Sequence, residues 1–141
     1  MRVNPIRKKL RFALLVAEAV FLILFARILL AFFPFSSLTP LFSHPHGKIE
    51  LRGGQRRAAR MWVKKAIFTA WKRLPLKNTC FHRAIAAHFM LRRRGVATTL
   101  YYGAARLPQR GLSGHVWLQD GEVGVVGHHI SKEYHTLASF P

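Results

Sequence analysis

The spacing of hydrophobic positions changes twice along the chain. From Phe12 to Phe33 apolar residues run almost unbroken, interrupted only by Glu18 and Arg27. A run of this length predicts a helix that Pro34 stops. Residues 34–54 lose the pattern; Pro34, Pro40, Pro45, Gly47, Gly53 and Gly54 punctuate them, and a connector is expected. Helical spacing returns from Gln55 to Arg73. Ala59, Val63, Ala66, Ile67 and Ala70 share one stripe, and Leu74-Pro75 ends the helix. A further helix is expected from Cys80 to about Arg94, with Asn78 or Thr79 as its cap and Gly95 as its stop. Cys80, Ala84, Ala87 and Leu91 form its packing stripe, and the small residues suit close contact with a sheet.

After Gly95 the period becomes that of strands. Ala97 to Tyr102 is rich in β-branched and aromatic residues and reads as a strand. Leu107 to Gly114 reads as a loop. Gly114 to Gln119 and Glu122 to Val126 flank Asp120-Gly121, a two-residue hairpin signal. That turn would set Val126 opposite His115, with Gly127 next. The sum is an α+β chain in which a central helix bearing Cys80 packs on a small antiparallel sheet, preceded by N-terminal helices. We divide it into an apolar helix and connector, residues 1–54, and a compact unit, residues 55–141.

Composition narrows the chemistry. There are 23 Lys and Arg against 5 Asp and Glu, a net charge of +18. The carboxylates, Glu18, Glu50, Asp120, Glu122 and Glu133, are too few and too scattered for paired-carboxylate catalysis or a hard-cation cage. No metal or cofactor is implied. One cysteine excludes an internal disulfide and suits a reducing compartment, so a cytoplasmic location is expected. The basic balance fits an acidic partner or an anionic membrane surface. No helix-turn-helix, zinc-finger or aromatic RNA-binding pattern points to a specific nucleic acid. Glu18 and Arg27 lie nine positions apart, half a turn out of phase, so they cannot pair on one helix. Housing Phe12 to Phe33 as a buried or membrane-surface helix is therefore favoured over a true span, where each charge would cost a few kcal/mol.

Cys80 is the residue placed for chemistry. The free N–H groups and dipole at a helix start favour the thiolate. A histidine, His115, follows on a strand, and an imidazole can pair with a thiolate and carry its proton. His82, on the Cys80 helix, points about 200° away from it and is not the base.

The local sequence goes beyond a cysteine and a histidine. Thr79-Cys80, Arg83 to Ala87, Met90 to Val96, Gly103, His115-Val116-Trp117-Leu118 and Val126-Gly127 resemble the transglutaminase-like leader peptidases of lasso-peptide biosynthesis, the B proteins. Leu14 to Ala19, Ala26-Arg27 and Phe33-Pro34-Phe35 resemble that family's leading helix. The resemblance implies a papain/transglutaminase-like fold and a cysteine protease, with Cys80 and His115 as catalytic residues. The protease would cut the leader from a ribosomally made precursor peptide. A separate leader-binding RiPP recognition element and an asparagine-synthetase-like cyclase would be its partners. Family members commonly carry an Asp roughly a dozen residues after the His, and this chain has none there. Asp120 is disfavoured, because five residues of strand, each rising about 3.3 Å, separate it from His115. His128, Glu133, a backbone carbonyl or water remain to orient the ring. Two other readings stay open: acyl transfer to an amine at the same site, as in a transglutaminase or peptide ligase, and a non-enzymatic basic binder of nucleic acid or anionic membrane.

Overall fold

The computed structural model describes residues 4–42, 50–77 and 80–141. Among the described residues four α-helices precede a four-stranded antiparallel sheet. The helices are α1 (Pro5–Phe32), α2 (Phe35–Phe42), α3 (Gly53–Arg73) and α4 (Cys80–Arg93). The strands are β1 (Thr99–Leu107), β2 (Gly111–Asp120), β3 (Val123–Val126) and β4 (His135–Phe140), with a 3₁₀ segment, His128–Glu133, before β4. The sheet order is β3-β2-β1-β4, so the 3₁₀ segment carries the chain from one edge to the other.

Local signals explain the helix ends. The Asn4 side chain accepts a hydrogen bond from the Ile6 N–H at 3.0 Å, and Pro5 opens α1. Phe33, ahead of Pro34, is extended and closes it. At the end of α4, Gly95 takes φ +75°, and the Val96 N–H reaches back to the Leu91 carbonyl at 3.0 Å. The expected caps Asn78 and Thr79, and Pro45 and Gly47 of the connector, lie outside the described residues.

Three expectations need correction. First, the connector contains α2. Its Pro40 withholds an N–H from the Ser36 carbonyl, and the Thr39 hydroxyl donates there instead, at 2.9 Å. Burial of Leu38 and Phe42 holds this short helix in place. Second, residues 107–114 are not a loop: β1 runs to Leu107, and β2 starts at Gly111 (φ +68°) after a three-residue turn. Third, Asp120 pairs with Val123, so the β2–β3 turn is Gly121-Glu122. A bulge after Leu118 then sets Val126 opposite Leu118, not His115.

One core joins the helices to the sheet. Val16, Ala19, Ile23 and Ala26 of α1 pack with Val63, Ala66, Ile67 and Ala70 of α3 and with the alanines of α4. Leu100, Val116 and Leu118 complete the core from the sheet, and Tyr102 packs against Phe81 of α4. Strand alternation therefore turns Leu100, Tyr102, Val116 and Leu118 toward the helices. It turns Tyr101, Gly103, His115 and Trp117 to the other face, where Trp117 stacks on its cross-strand partner Tyr101. A Cβ on Gly103 would come within 2.9 Å of the Trp117 ring, so this position needs glycine.

The outer side of α1 is apolar and open. Leu10, Leu14, Phe21, Ile28 and Phe32 are all exposed. Among the described residues α1 is the one helix long and apolar enough to cross a membrane, with 22% of the relevant window buried. Its Glu18 is held by Arg94 at 2.6 Å and by Arg93 at 3.2 Å, which clips α1 to the end of α4.

A second carboxylate clips α3 to the sheet. Asp120, with 2% of its side chain exposed, takes Arg60 at 2.7 Å and the guanidinium of Arg56. Burial alone would raise its pKa, but hydrogen bonds and charge from Arg56 and Arg60 outweigh burial and hold it below the usual carboxylate range. A depressed folded pKa stabilises the fold above the unfolded value and loses that contribution as pH falls through the folded one. Urea unfolding should accordingly show stability declining as pH drops below about 4. Asp120→Asn should flatten the Asp120 part of that decline and cost about 3 kcal/mol at neutral pH, since it strands two arginines around a buried neutral group.

Candidate active site

Cys80 is the first residue of α4 and is half-buried. Among the described residues the thiol therefore sits at the N-terminal end of the element that packs on β2. One turn further on, Arg83 lies over the Trp71 ring of α3 at 4.5 Å. Burial lowers the Arg83 pKa, and the field of Cys80 opposes that shift.

His115 is buried in β2, and its ring lies between Trp117, 5.9 Å away, and Tyr134, 5.1 Å away, beside the 3₁₀ segment. Its Nε2 is 2.8 Å from the Gly127 carbonyl. A carbonyl oxygen only accepts, so Nε2 carries the proton. In the neutral ring Nδ1 is then the unprotonated nitrogen, available as a base. The structure does not bring this ring to the Cys80 thiol: Cys80 opens the helix that packs on one face of the sheet, His115 leaves β2 on the other, and among the described residues no hydrogen bond joins them.

The other candidates for orienting His115 are engaged elsewhere or exposed. His128 uses Nδ1 with the Gln119 amide at 2.7 Å and with the Ser131 hydroxyl at 3.3 Å. Glu133 is exposed on the 3₁₀ segment. Asp120 faces α3 and its two arginines. The group that holds the ring is the backbone of Gly127. It lies twelve positions after His115, the spacing at which the resemblance calls for an acid.

Gly127 also links the ring to a cleft. It takes φ +70°, and a Cβ there would lie 3.1 Å from His115 Nε2 and 3.0 Å from the Val116 carbonyl. A cleft of about 550 Å³ opens between α3 and the end of β3, with Ile67, Phe68, Val125, Val126, Gly127 and Arg83 among its lining residues. That volume is in the range of ligand pockets, roughly 300–1,000 Å³. One wall thus carries Arg83, three residues after Cys80 in α4, and the other carries the residue that anchors His115. Among the described residues no cluster of His, Cys, Asp and Glu is arranged to hold a metal ion.

A family model of the transglutaminase-like superfamily matches residues 25–139. The chain belongs to this superfamily. No curated protein and no solved structure matches it. The match takes in the second part of α1, all later helices and the sheet, so the α+β architecture is that of a transglutaminase-like domain. Superfamily members include cysteine proteases and acyltransferases that work through a cysteine thiol.

Sequence reasoning gave no role to two residues at this cleft. Arg83 stood among the residues of the resemblance but shows its place only when Trp71 and α3 are brought against it. Gly127 was visible only as a missing acid. Its carbonyl acts through the backbone, which no side-chain pattern reveals. Gly127→Ala should place a Cβ in a left-handed conformation against the His115 ring. It should destabilise the protein by about 1–2 kcal/mol in urea titration. The His115 Nε2–H resonance should also lose the signature of a short hydrogen bond.

Proposed function

We propose that this protein is a cysteine peptidase that removes the leader from a ribosomally made lasso-peptide precursor. The observation that carries the reading is a lone, half-exposed cysteine opening the central helix of a transglutaminase-like domain. The detailed likeness of residues 79–127 to lasso-peptide B proteins supports the narrower assignment.

In this mechanism the Cys80 sulfur attacks the carbonyl carbon of the last leader residue. The thiol proton passes to Nδ1 of His115, and the carbonyl electron pair moves onto oxygen. The Cys80 N–H, unpaired within the helix because it is the first residue, is the oxyanion donor. Collapse of this intermediate breaks the peptide bond, and the imidazolium returns its proton to the leaving amine of the core peptide. Water, deprotonated by the same ring, then hydrolyses the thioester and frees the thiol. The step needs a base within hydrogen-bond reach of the sulfur; His115 leaves β2 on the face turned away from α4, so for this ring to serve, β2 and the 3₁₀ segment have to rearrange. The partners in this reading are the precursor, a separate leader-binding RiPP recognition element and an asparagine-synthetase-like cyclase that closes the ring on the released amine. The setting is the cytoplasm, with α1 free to touch a membrane surface.

The test is incubation of a candidate precursor with its recognition element and this protein, read by mass spectrometry. Two fragments summing to the precursor plus one water indicate hydrolysis; a product joined to an added amine indicates acyl transfer instead. Cys80→Ala should abolish cleavage. His115→Gln should lower turnover by roughly 10²–10⁴-fold. Full activity in His115→Gln would assign that ring a packing role beneath the 3₁₀ segment and require another base.

A further inference from the structure

The cleft beside Gly127, which neither Cys80 nor His115 lines, extends beyond Gly127 and Arg83. It runs along α3 into a second space of about 310 Å³ that shares Met61, Lys64 and Val125 with it and adds Arg57 and Arg60. Among the described residues no carboxylate lines either part, though Arg60 is already paired with Asp120. Every lysine and arginine of the lining comes from α3, except Arg83.

Arg83 has the features of a ligand-binding guanidinium. Its plane is fixed over Trp71, which restricts its rotamers before anything binds. Its Nε is buried and, among the described residues, has no hydrogen-bond partner. A buried donor left without an acceptor costs about 1–3 kcal/mol, and a carboxylate oxygen would remove that cost. The floor of the groove is aliphatic, from Ile67, Val125 and Val126. The strand beside it, β3, is an edge strand, so no strand of the described residues pairs with its outer side. An extended peptide can add to such an edge through its backbone while its side chains sample the groove.

Building on the peptidase reading, we propose that this groove binds an acidic and otherwise apolar stretch of the peptide substrate, laid along β3 with a substrate carboxylate paired to Arg83. Charge complementarity selects the acid, the aliphatic floor selects its apolar neighbours, and the free strand edge holds the backbone. Nucleic acid is the lesser fit, because an aliphatic floor and an open strand edge give a phosphate backbone nothing to pair with.

Binding can be measured apart from cleavage. Short fluorescent peptides alternating Leu with Glu, Gln or Lys are titrated by anisotropy against Cys80→Ala protein at physiological salt. The Glu peptide should bind about tenfold more tightly than the Gln peptide, the worth of one charge-assisted hydrogen bond. Arg83→Gln should erase that difference, and Arg83→Lys should restore part of it. Arg106→Gln, near the end of β1, and Arg110→Gln, in the β1–β2 turn, are outside the groove lining and should leave it intact, which separates the groove from the overall positive charge. If Arg83→Gln does not fold, Lys64→Gln on the exposed rim carries the test and should weaken the Glu peptide selectively. Equal affinity for the Glu and Gln peptides, Glu binding unchanged in both groove variants, or an oligonucleotide that competes more strongly than the Glu peptide overturns the proposal. Selective binding by a protein that cleaves no precursor would sink the peptidase reading and leave the groove standing. Cleavage without charge selectivity would do the reverse.

Discussion

The buried carboxylate of Asp120 is the interaction on which the site depends. It sits at the end of β2, where the chain turns into β3, and draws two arginines of α3 onto the hairpin. The cleft has α3 as one wall and β3 as the other, so this ion pair sets the spacing between them. In a chain with 23 cations and 5 anions, a carboxylate is a scarce cross-linking group. Asp120 joins α3 to the sheet, and Glu18 joins α1 to α4. Both connect elements far apart in sequence, where an exposed pair on a single helix would add only a few tenths of a kcal/mol.

The sheet's alternation is the second constraint, and it decides what His115 touches. Val116 and Leu118 fill the core under α4, so His115 and Trp117 emerge on the opposite face. There the ring is bracketed by Trp117 and Tyr134 and tied by Nε2 to the Gly127 carbonyl. Because β3 ends at Val126, the chain is free to bend at Gly127 and bring its carbonyl to the ring. The same bend exposes Gly127 to the cleft. One residue therefore ends an edge strand, orients an imidazole and forms part of a groove wall, and its left-handed backbone conformation explains why it is glycine.

The parts of this fold that were legible in the sequence are those fixed by local chemistry. The Gly95 stop, the Pro34 break and the buried stripe of α3 follow from breakers and periodicity. What escaped depends on distant partners. α2 is held by burial of Leu38 and Phe42 and by a hydroxyl that answers Pro40, so its prolines and serines read as a connector. Residues 107–114 carry Pro and Gly because β1 and β2 meet in a tight turn there, and the same residues suggested a loop. The slip of the β2–β3 turn by one residue was enough to move Val126 away from His115. Asp120 looked like a turn residue because its partners, Arg56 and Arg60, are about sixty positions earlier in the chain.

Replacing an acid by a carbonyl changes what the orienting group can do. A carboxylate fixes the tautomer of a catalytic histidine and also supplies a negative charge beside the imidazolium that forms. The Gly127 carbonyl performs the first task, since it compels Nε2 to carry the proton, and contributes only a dipole to the second. In the proposed peptidase mechanism the counter-charge would have to come from the reacting groups themselves. A serine nucleophile could not provide it, because its alkoxide is not populated beforehand. A cysteine can, because a thiolate and an imidazolium neutralise each other as an ion pair. Under the proposed peptidase reading, a backbone carbonyl at position 127 and a sulfur nucleophile are consistent choices: the weaker orienting group is tolerable where the nucleophile is sulfur.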